Sequence, residues 1–576
     1  MSGGGILLVL ALACATAQPV GEGEARVNAV GWPPDGPKRA LVVIRFDDVV
    51  PADFEAPFTV RNGSGEQVLR GRTDLLGPSV ASGDTTALAD LSKVARPGHY
   101  RLRIESLGID APFTVRERPY RGLAEDALQF FTLWRANLDT RERDCWYSPH
   151  GCAFTHGPAV PSDAWAERPG GPWDVSGGWL DAGDFGKYVS SGAVTAVTLL
   201  ALAERYPERF ADGALRIPEH ANGVPDLLDE ATFEVDWLLR MQEPSGAVHH
   251  KVHGTNWPSG PIDPSTITEV RRLQPVSTEA TLAMAAVAAR ASRLWRPYDA
   301  ARADRYLEAA RRAFAWAEAN PRTFYLRSTP DDVGGGDYPI DDPPPRDPST
   351  WGTDERYWAA AELYVTTGEA FFRDLILASP VRYGTTTPQW GDLDLFGTWA
   401  LATSGLPEAA DARSAILAAA DARIAAAAGN PWLLSRPDDA PLRWGSNGDI
   451  ANEALVVMAA HALDPREDRL PAVASALDHL LGLNPLDRSY VTGYGHPDRR
   501  ATNPTSHWFQ AVGRALPGLL VGGPNSVLVE DEHTPRTGAP ARRYADIERA
   551  WASNEIAINW NAPLAYLAVF LDEETR

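Results

Sequence analysis

The sequence has 576 residues and very little cysteine: only Cys145 and Cys152 lie beyond the N-terminal leader. So few cysteines exclude a disulfide framework as the main source of stability. After the leader, no stretch is both apolar and long enough to cross a bilayer. Net positive charge is also absent, because 76 acidic residues outnumber 54 lysines and arginines and give a formal net charge of −22. This balance argues against nucleic acids and anionic membranes as partners and favours a neutral or soluble polymer.

The N-terminal apolar run, residues 6–17, is too short to span a membrane but has the length of a secretory signal core. The segment from Ala15 to Ala17 fits a signal-peptidase site, and residues 11–14 loosely resemble a lipobox that would leave a lipid on Cys14. We therefore predict that residues 1–17 are a signal or lipoprotein leader. The protein is then expected to be secreted, periplasmic or on the cell surface.

Residues 24–116 read as β-strands separated by turns. RALVVIRF, YRLRIES and APFTVRE are extended runs, and RNGSGEQ and ARPGH are typical turn sequences. Their number and spacing predict an immunoglobulin-like β-sandwich of about 90 residues. No cluster of functional side chains stands out there, so we interpret this domain as a stabilising or spacing module.

From Tyr120 onward the apolar period becomes helical. Several segments, such as TEATLAMAAVAARASRLW, are apolar nearly all round, which suits helices packed on two sides. Paired helices in two concentric layers, an α/α barrel, would produce that pattern, with the long loops 242–276 and 320–353 bordering a cleft at one end. We treat residues 117–576 as one domain. The clearest helical segments are 120–137, 188–206, 224–241, 277–295, 301–319, 354–367, 409–427, 448–463, 470–482 and 555–572.

Two acidic motifs lie at opposite ends of this helical domain. GGWLDAGDFGKYV, residues 177–189, holds Asp181 and Asp184 in a glycine-rich turn, which fits either plain turn chemistry or a pair of acids gripping a water molecule. Near the C terminus, Glu555 is expected to open an apolar helix, where an acid is also simply favourable with the helix dipole. Spacing alone does not decide between these readings.

Taken together, the motifs resemble glycoside hydrolase family 9, in the subgroup with an immunoglobulin-like domain before an (α/α)6 barrel. The C-terminal segment fits that family's motif at every defined position, and the likeness runs in order from about residue 26 to 572. The segments that carry it are GGWLDAGDFGKYV, HHKV, QPVSTEAT, LLGLNP, SYVTGYG, PGLLVGGPN and the residues Tyr544, Asp546, Trp551, Glu555, Ala557, Asn561 and Ala562.

The resemblance implies inverting hydrolysis, with Asp184 as general base, Asp181 orienting the water and Glu555 as general acid; Asp546, in the same motif, is a further catalytic candidate. Inverting enzymes separate acid and base by about 6.5–9.5 Å to admit a water molecule. Acids so distant in sequence can meet only if the first and last barrel helices are neighbours. The apolar surroundings of Glu555 should raise its pKa, whereas glycines and backbone donors should keep Asp181 and Asp184 ionised.

Residues expected to bind substrate are mostly aromatic, because indole faces suit the CH-rich faces of sugar rings. Each is equally open to a packing role. The family's His-x-Arg element is altered here, since Phe509 stands at the arginine's place after His507. The candidates are His507, Trp508, Trp551, Trp179, His250 and Tyr544, with Trp257 as a further loop residue.

Metal binding is left open by the sequence. Members of the family often bind calcium, and some bind zinc through cysteine and histidine near the first barrel helix. Cys145, His150, Cys152 and His156 lie in that region, but their spacing differs, so we do not extend the zinc site to this chain; a single disulfide is the other reading. No cofactor is expected to be required, and a structural calcium stays possible.

The predicted activity is cleavage of β-1,4-glucosidic bonds in cellulose-like glucans or cello-oligosaccharides by an exported, monomeric enzyme. The altered His-x-Arg region favours an alternative, an exo-acting β-glucosidase or β-glucosaminidase. A non-catalytic carbohydrate-binding protein is the rival from another class, but such a protein needs no complete set of acid and base. Product profiles on oligosaccharides would separate these hypotheses.

Overall fold

The computed structural model describes residues 22–45, 50–136, 166, 168, 170–256, 270–325, 352–506 and 515–575. In the described residues up to Val115, the regular elements are strands, apart from one short 3-10 turn. The strands are β1 (Glu22–Arg26), β2 (Arg39–Arg45), β3 (Pro57–Asn62), β4 (Gln67–Arg72), β5 (Asp74–Pro78), β6 (Thr85–Asp90), β7 (Gly98–Ile104) and β8 (Ile109–Val115).

These strands form two antiparallel sheets in the orders β1-β2-β6-β5 and β4-β3-β7-β8. The long pairing of β7 with β8, from Gly98 opposite Val115 to Ile104 opposite Ile109, fixes one register. Apolar side chains of both sheets, including Val43, Val60 and Leu102, are buried between them. The predicted immunoglobulin-like sandwich is confirmed.

The rest of the described chain is mainly helical. Its helices are α1 (Arg121–Leu133), α2 (Val189–Arg205), α3 (Asp226–Arg240), α4 (Thr278–Trp295), α5 (Ala300–Ala319), α6 (Thr353–Thr367), α7 (Ala370–Ala378), α8 (Asp394–Thr403), α9 (Ala409–Gly429), α10 (Ser446–Leu463), α11 (Leu470–Leu480), α12 (Trp551–Asn554) and α13 (Ile558–Glu574). Short strands interrupt them at β9 (Lys187–Tyr188), β10 (Val248–His249), β11 (Lys251–Gly254), β12 (Arg271–Leu273) and β13 (Val276–Ser277).

Within the described ranges, six helices close an inner ring. Each packs against the next in the order α2, α4, α6, α8, α10 and α13, and α13 returns to α2. These helices are buried on nearly every face. The remaining long helices, α1, α3, α5, α7, α9 and α11, lie against the outside of the ring. The (α/α)6 barrel expected from the all-round apolar segments is confirmed.

Helices α7 and α8 are not among the segments named from the sequence. Helix α8 is short and carries Gly397 at its centre, which weakens the helical signal. A Cβ atom on Gly397 would lie 2.9 Å from the ring of Tyr357 and 3.0 Å from the Cα of Trp358. Glycine is therefore present because α6 and α8 pack closely there, which only the folded ring reveals.

The N-terminal ends of the inner helices meet at one end of the barrel. The N–H of Ile558 at the start of α13 donates to the carbonyl of Asp181, in the turn that precedes α2. The carboxylate of Asp354, at the start of α6, accepts the N–H of Leu393, just before α8. Both acidic motifs of the sequence lie at this end.

A buried polar cluster joins the sandwich to the barrel. Asp478 on α11 is 1% exposed. Its Oδ1 accepts hydrogen bonds from Asn28 Nδ2 at 2.7 Å and from Trp32 Nε1 at 3.0 Å. In a second contact between the two parts, Arg542 Nη2 donates to both oxygens of Asp84 at 2.7 Å. The sandwich is therefore attached to the barrel by specific polar contacts, of which those of Asp478 are buried. Among the described residues, no helix is long and apolar enough to cross a membrane.

Candidate active site

The turn that holds Asp181 and Asp184 is closed by backbone contacts. The N–H of Asp181 donates to the carbonyl of Gly186 at 2.9 Å. Between them, Phe185 has a left-handed φ of 59°, which is unusual for a large side chain. Its carbonyl accepts a hydrogen bond from Arg271 Nη2 at 2.8 Å. The strained backbone is thus fixed by a contact from the β12 strand.

The segment before the turn is anchored inside the protein. Trp179 is 0% exposed, and its Nε1 donates to Glu230 at 3.0 Å. The prediction that Trp179 stacks on a sugar is therefore wrong, because no face of the indole reaches solvent. Lys187 is also buried, and its Nζ donates to the carbonyls of Val175 and Gly177 at 2.7 Å each. Both side chains serve to hold the acidic turn in place.

Glu555 lies between α12 and α13 rather than at a helix start. Its backbone is extended, with φ −69° and ψ 155°. It is bridged to Thr505, and its carbonyl accepts the N–H of Gly522 at 2.8 Å. The expectation that Glu555 opens an apolar helix is wrong, because these pairings hold it extended and α13 begins only at Ile558. A helix-dipole role at a first turn therefore does not explain this residue.

The two acidic motifs converge. The N–H of Gly183, between Asp181 and Asp184, donates to Oε1 of Glu555 at 3.1 Å. A Cβ atom at Gly183 would lie 3.2 Å from the same oxygen, so glycine permits this close approach. All three acidic residues are mostly buried, with part of each still exposed. The chain thus brings a pair of acids and a single acid together at the open end of the barrel.

Asp184 is surrounded by hydrogen-bond donors. Its Oδ1 accepts the N–H of Gly186 at 3.0 Å, and its Oδ2 accepts the hydroxyl of Tyr188. His253 Nε2 lies 3.6 Å from Oδ2. Burial alone would raise the pKa of Asp184, but His253, Tyr188 and Gly186 together hold the pKa well below its usual range. Asp184 is therefore the carboxylate that stays ionised.

The other two carboxyl groups have the opposite tendency. Burial, and then the charge of Asp184, raise the pKa of Asp181 to about 7, although the Ser191 hydroxyl donates to it. Burial and the charge of Asp184 also raise the pKa of Glu555 well above its usual value, against the N–H of Gly183. One ionised acid therefore faces one acid that keeps its proton. The expectation that Asp181 is ionised like Asp184 does not agree with this environment.

Two aromatic rings border Glu555. Trp551 and Trp444 are partly exposed, and their ring centroids lie 4.9 Å apart at an interplanar angle of 39°. The sequence predicts Trp551 but not Trp444, because the segment around Trp444, RWGSN, carries no acid. Trp444 precedes α10, so the ring of helices brings it to the same end of the barrel. The tryptophan pair offers an apolar surface beside the protonated acid.

Asp546 and Tyr544 support the loop before Glu555. The Asp546 carboxylate accepts the N–H groups of Thr502 and Asn503 at 2.9 to 3.0 Å and lies 3.3 Å from Arg488. These contacts fix the position of the carboxylate, and a catalytic role for Asp546 stays a prediction of the sequence.

Tyr544 is 7% exposed, and its hydroxyl donates to Asn554, the residue before Glu555, at 2.6 Å. Tyr544 therefore positions Asn554, next to the acid. The prediction that Tyr544 binds substrate does not agree with its burial.

His250 is packed rather than open to a cleft. It is 1% exposed, its Nδ1 lies 2.9 Å from the hydroxyl of Ser277, and its ring stacks on Tyr325 at 4.4 Å. The prediction that His250 binds substrate is wrong because both ring faces are covered by protein. The histidine that does approach the acids is His253, which the sequence analysis missed; its position follows from the pairing of β11 with β9.

Several predictions fall outside the described residues. They concern the leader with Cys14, the group Cys145, His150, Cys152 and His156, and the substrate candidates Trp257, His507 and Trp508. In the part of the chain that the structure describes, no group of three or more histidine, cysteine, aspartate or glutamate side chains is arranged to hold a metal ion. Calcium and zinc binding stay predictions of the sequence.

An ionised carboxylate facing a protonated one, beside an aromatic surface at the end of an α/α barrel, fits the acid and base pair of a glycoside hydrolase. The profile "Glycosyl hydrolase family 9" matches residues 120–568, and the profile "Cellulase N-terminal ig-like domain" matches residues 22–108. The chain belongs to glycosyl hydrolase family 9.

One similar protein is Endoglucanase C of Cellulomonas fimi, which is 34% identical over 96% of this chain. The chain spans about half of that protein's length, 52%. The xyloglucan-specific endo-beta-1,4-glucanase BoGH9A of Bacteroides ovatus is 33% identical over 99% of this chain and 97% of its own. Among solved structures, a metagenome-derived family 9 endoglucanase matches with a TM-score of 0.82 at 32% identity, covering 96% of this chain and 99% of its own.

Proposed function

We propose that this protein is an inverting endo-β-1,4-glucanase acting on cellulose-like glucans and cello-oligosaccharides. The observation that supports the proposal most strongly is the hydrogen bond from Gly183 N–H to Glu555 Oε1, which sets the protonated acid against the turn of the ionised base. The names of the similar proteins from Cellulomonas fimi and Bacteroides ovatus agree with a β-1,4-glucan substrate.

In the proposed reaction, Glu555 donates its proton to the glycosidic oxygen as the leaving sugar departs. Asp184 accepts a proton from a water molecule that attacks the anomeric carbon from the opposite face, which inverts the configuration. Asp181, with its raised pKa, carries a proton and can donate a hydrogen bond that orients this water. Because the pKa of Asp184 is lowered and that of Glu555 is raised, one residue can act as the base and the other as the acid at the same pH.

The aromatic pair suggests where the sugar chain lies. Trp444 and Trp551 border the acid, so a pyranose on the side of the leaving group can stack on them. Such stacking requires a sugar beyond the scissile bond, as in an oligosaccharide or polymer. This arrangement favours glucans over small glucosides.

The test is a product profile on cello-oligosaccharides, mixed-linkage β-glucan, xyloglucan and chito-oligosaccharides. We expect the β-glucans to give oligosaccharides of several lengths first, and the Glu555→Gln variant to lose about 100-fold or more in kcat. Glu532→Gln, at an exposed glutamate, is the matched control and should behave as the wild type. Near-normal turnover by Glu555→Gln would refute the assignment, and single sugars as first products would indicate the exo-acting alternative.

We also propose that the protein is exported by residues 1–17 and acts as a monomer. Expression in a bacterial host followed by fractionation tests export. Retention in the membrane fraction, lost in Cys14→Ala, would indicate a lipid anchor. Soluble periplasmic or secreted protein would indicate simple cleavage of the leader, and a cytoplasmic product of unchanged length would refute export.

A further inference from the structure

His253 occupies a special position among the histidines near the site. It lies on β11, which pairs with β9 through Lys251 opposite Tyr188 and Val252 opposite Lys187. Strand β9 comes directly after the acidic turn, so this pairing places His253 beside that turn. The imidazole is 1% exposed, its Nε2 lies 3.6 Å from Asp184 Oδ2, and its ring centre lies 6.3 Å from that of Tyr188.

The other ring nitrogen fixes the orientation of this imidazole. His253 Nδ1 lies 2.9 Å from the carbonyl oxygen of Gly254, which can only accept, so Nδ1 carries a hydrogen and donates it. The second nitrogen, Nε2, therefore becomes a donor only when the ring is cationic. In that form, the ring places an N–H donor and a positive charge beside Asp184 Oδ2.

From this geometry we propose that His253 is a positioning residue that keeps Asp184 ionised and oriented as the base in acidic solution. The inference rests on the function proposed above. The imidazolium supplies positive charge at the oxygen that also accepts the Tyr188 hydroxyl, while Gly186 N–H binds the other oxygen. His253 does not contact the reacting water; it acts through the carboxylate.

Other charged groups surround this pair. The acids facing Asp184 are Asp181 and Glu555, and both have raised pKa values, so neither adds much negative charge in acid. On the strands, Lys251 Nζ lies 5.7 Å from the centre of the Tyr188 ring, and Arg271 donates to the carbonyl of Phe185. Among the described residues, the ion pair seen at Asp184 is the one with His253, at 3.6 Å.

The experiment compares pH profiles of kcat/KM for the wild type, His253→Gln and His253→Leu on a cello-oligosaccharide. Loss of an opposite charge at this distance should move the acid limb of both variants upward by about one pH unit or more. Glutamine can still donate one hydrogen bond, so its loss of activity at neutral pH should be smaller than that of leucine. The matched control is His249→Gln, a buried histidine on β10 that contacts Glu243 and Gln274; its acid limb should stay in place.

A second measurement does not depend on turnover. Carbon-13 NMR of protein labelled at aspartate carboxyl groups, with the Asp184 signal identified from Asp184→Asn, reports the titration of Asp184 directly. We expect this signal to titrate at higher pH in His253→Gln than in the wild type. An unmoved Asp184 titration in a folded variant, shown by an unchanged melting temperature, would overturn the inference. Absence of glucan hydrolysis by the wild type would instead refute the proposed function and leave the NMR result to decide the role of His253.

Discussion

The buried contact between the sandwich and the barrel predicts a specific dependence of stability on pH. Burial raises the pKa of Asp478 to about 7, although Asn28 and Trp32 donate to it. In the unfolded chain, an aspartate titrates near about 3.9. Because the folded pKa is higher, the neutral carboxyl stabilises the fold fully below about pH 4, and this stabilisation is lost as the pH rises through about 7.

The size of the effect follows from the shift. A difference of about three pKa units corresponds to about 4 kcal/mol of unfolding free energy between acidic pH and pH 8. If the 576 residues unfold as one unit, the unfolding entropy is about 1.2 kcal/mol per kelvin. The effect then amounts to about 3 °C in melting temperature. Independent unfolding of the smaller sandwich would make the shift larger.

The perturbation is Asp478→Asn, which keeps an oxygen for Asn28 and Trp32 but cannot ionise. Scanning calorimetry at pH 4.5, 6 and 8 should show the melting temperature of the variant rising relative to the wild type by about 3 °C across this range.

The control is Glu204→Gln. Burial alone would raise the pKa of Glu204, but the charges of Arg290 and Arg293 lower it. Its stabilisation is therefore present above the unfolded pKa of about 4.3 and is lost only at lower pH. Because arginine stays charged throughout this range, this variant should differ from the wild type by a constant amount between pH 5 and 8. A pH-independent difference for Asp478→Asn would refute the buried, protonated carboxyl.

Three further predictions concern the active site. Gly183→Ala should lower kcat about tenfold with little change in melting temperature, because its Cβ would displace Glu555 by a few tenths of an ångström. The control is Gly405→Ala, whose added Cβ would lie in open space. Equal kcat values for the two variants would contradict the close approach of Gly183 to Glu555. Replacing Trp444 or Trp551 by alanine should lower kcat/KM on cello-oligosaccharides about tenfold through lost stacking, and unchanged values would exclude a sugar there. Proton NMR during hydrolysis should show the α-anomer first, whereas the β-anomer first would contradict inversion.

Much of the architecture follows from local patterns in the sequence. The all-round apolar helices predict a closed ring, and the ring explains how Asp184 and Glu555 can meet. The paired acidic motifs could therefore be found without coordinates. Helix boundaries that tertiary pairing decides could not be predicted. Glu555 sits in an apolar, helix-like segment, and its pairings with Thr505 and Gly522 hold it extended.

The roles of individual side chains were harder to predict. Trp179 and His250 lie within the recognisable motifs, yet burial assigns both to packing. His253 and Trp444 reach the site only through the pairing of β11 with β9 and through the position of α10 in the ring. Such long-range contacts leave no periodic signal in the chain. The motifs thus locate the site, but they do not separate residues that face substrate from residues that support the site from behind.

The most direct test of the acid and base assignment uses substrates that differ in leaving group. A dinitrophenyl cellobioside needs no proton donor, whereas a cello-oligosaccharide does. Glu555→Gln should therefore lose about 100-fold or more in kcat on the oligosaccharide but stay within about tenfold of the wild type on the activated glycoside, while Asp184→Asn should lose activity on both. Equal losses by Glu555→Gln on the two substrates, or an active Asp184→Asn, would contradict the account.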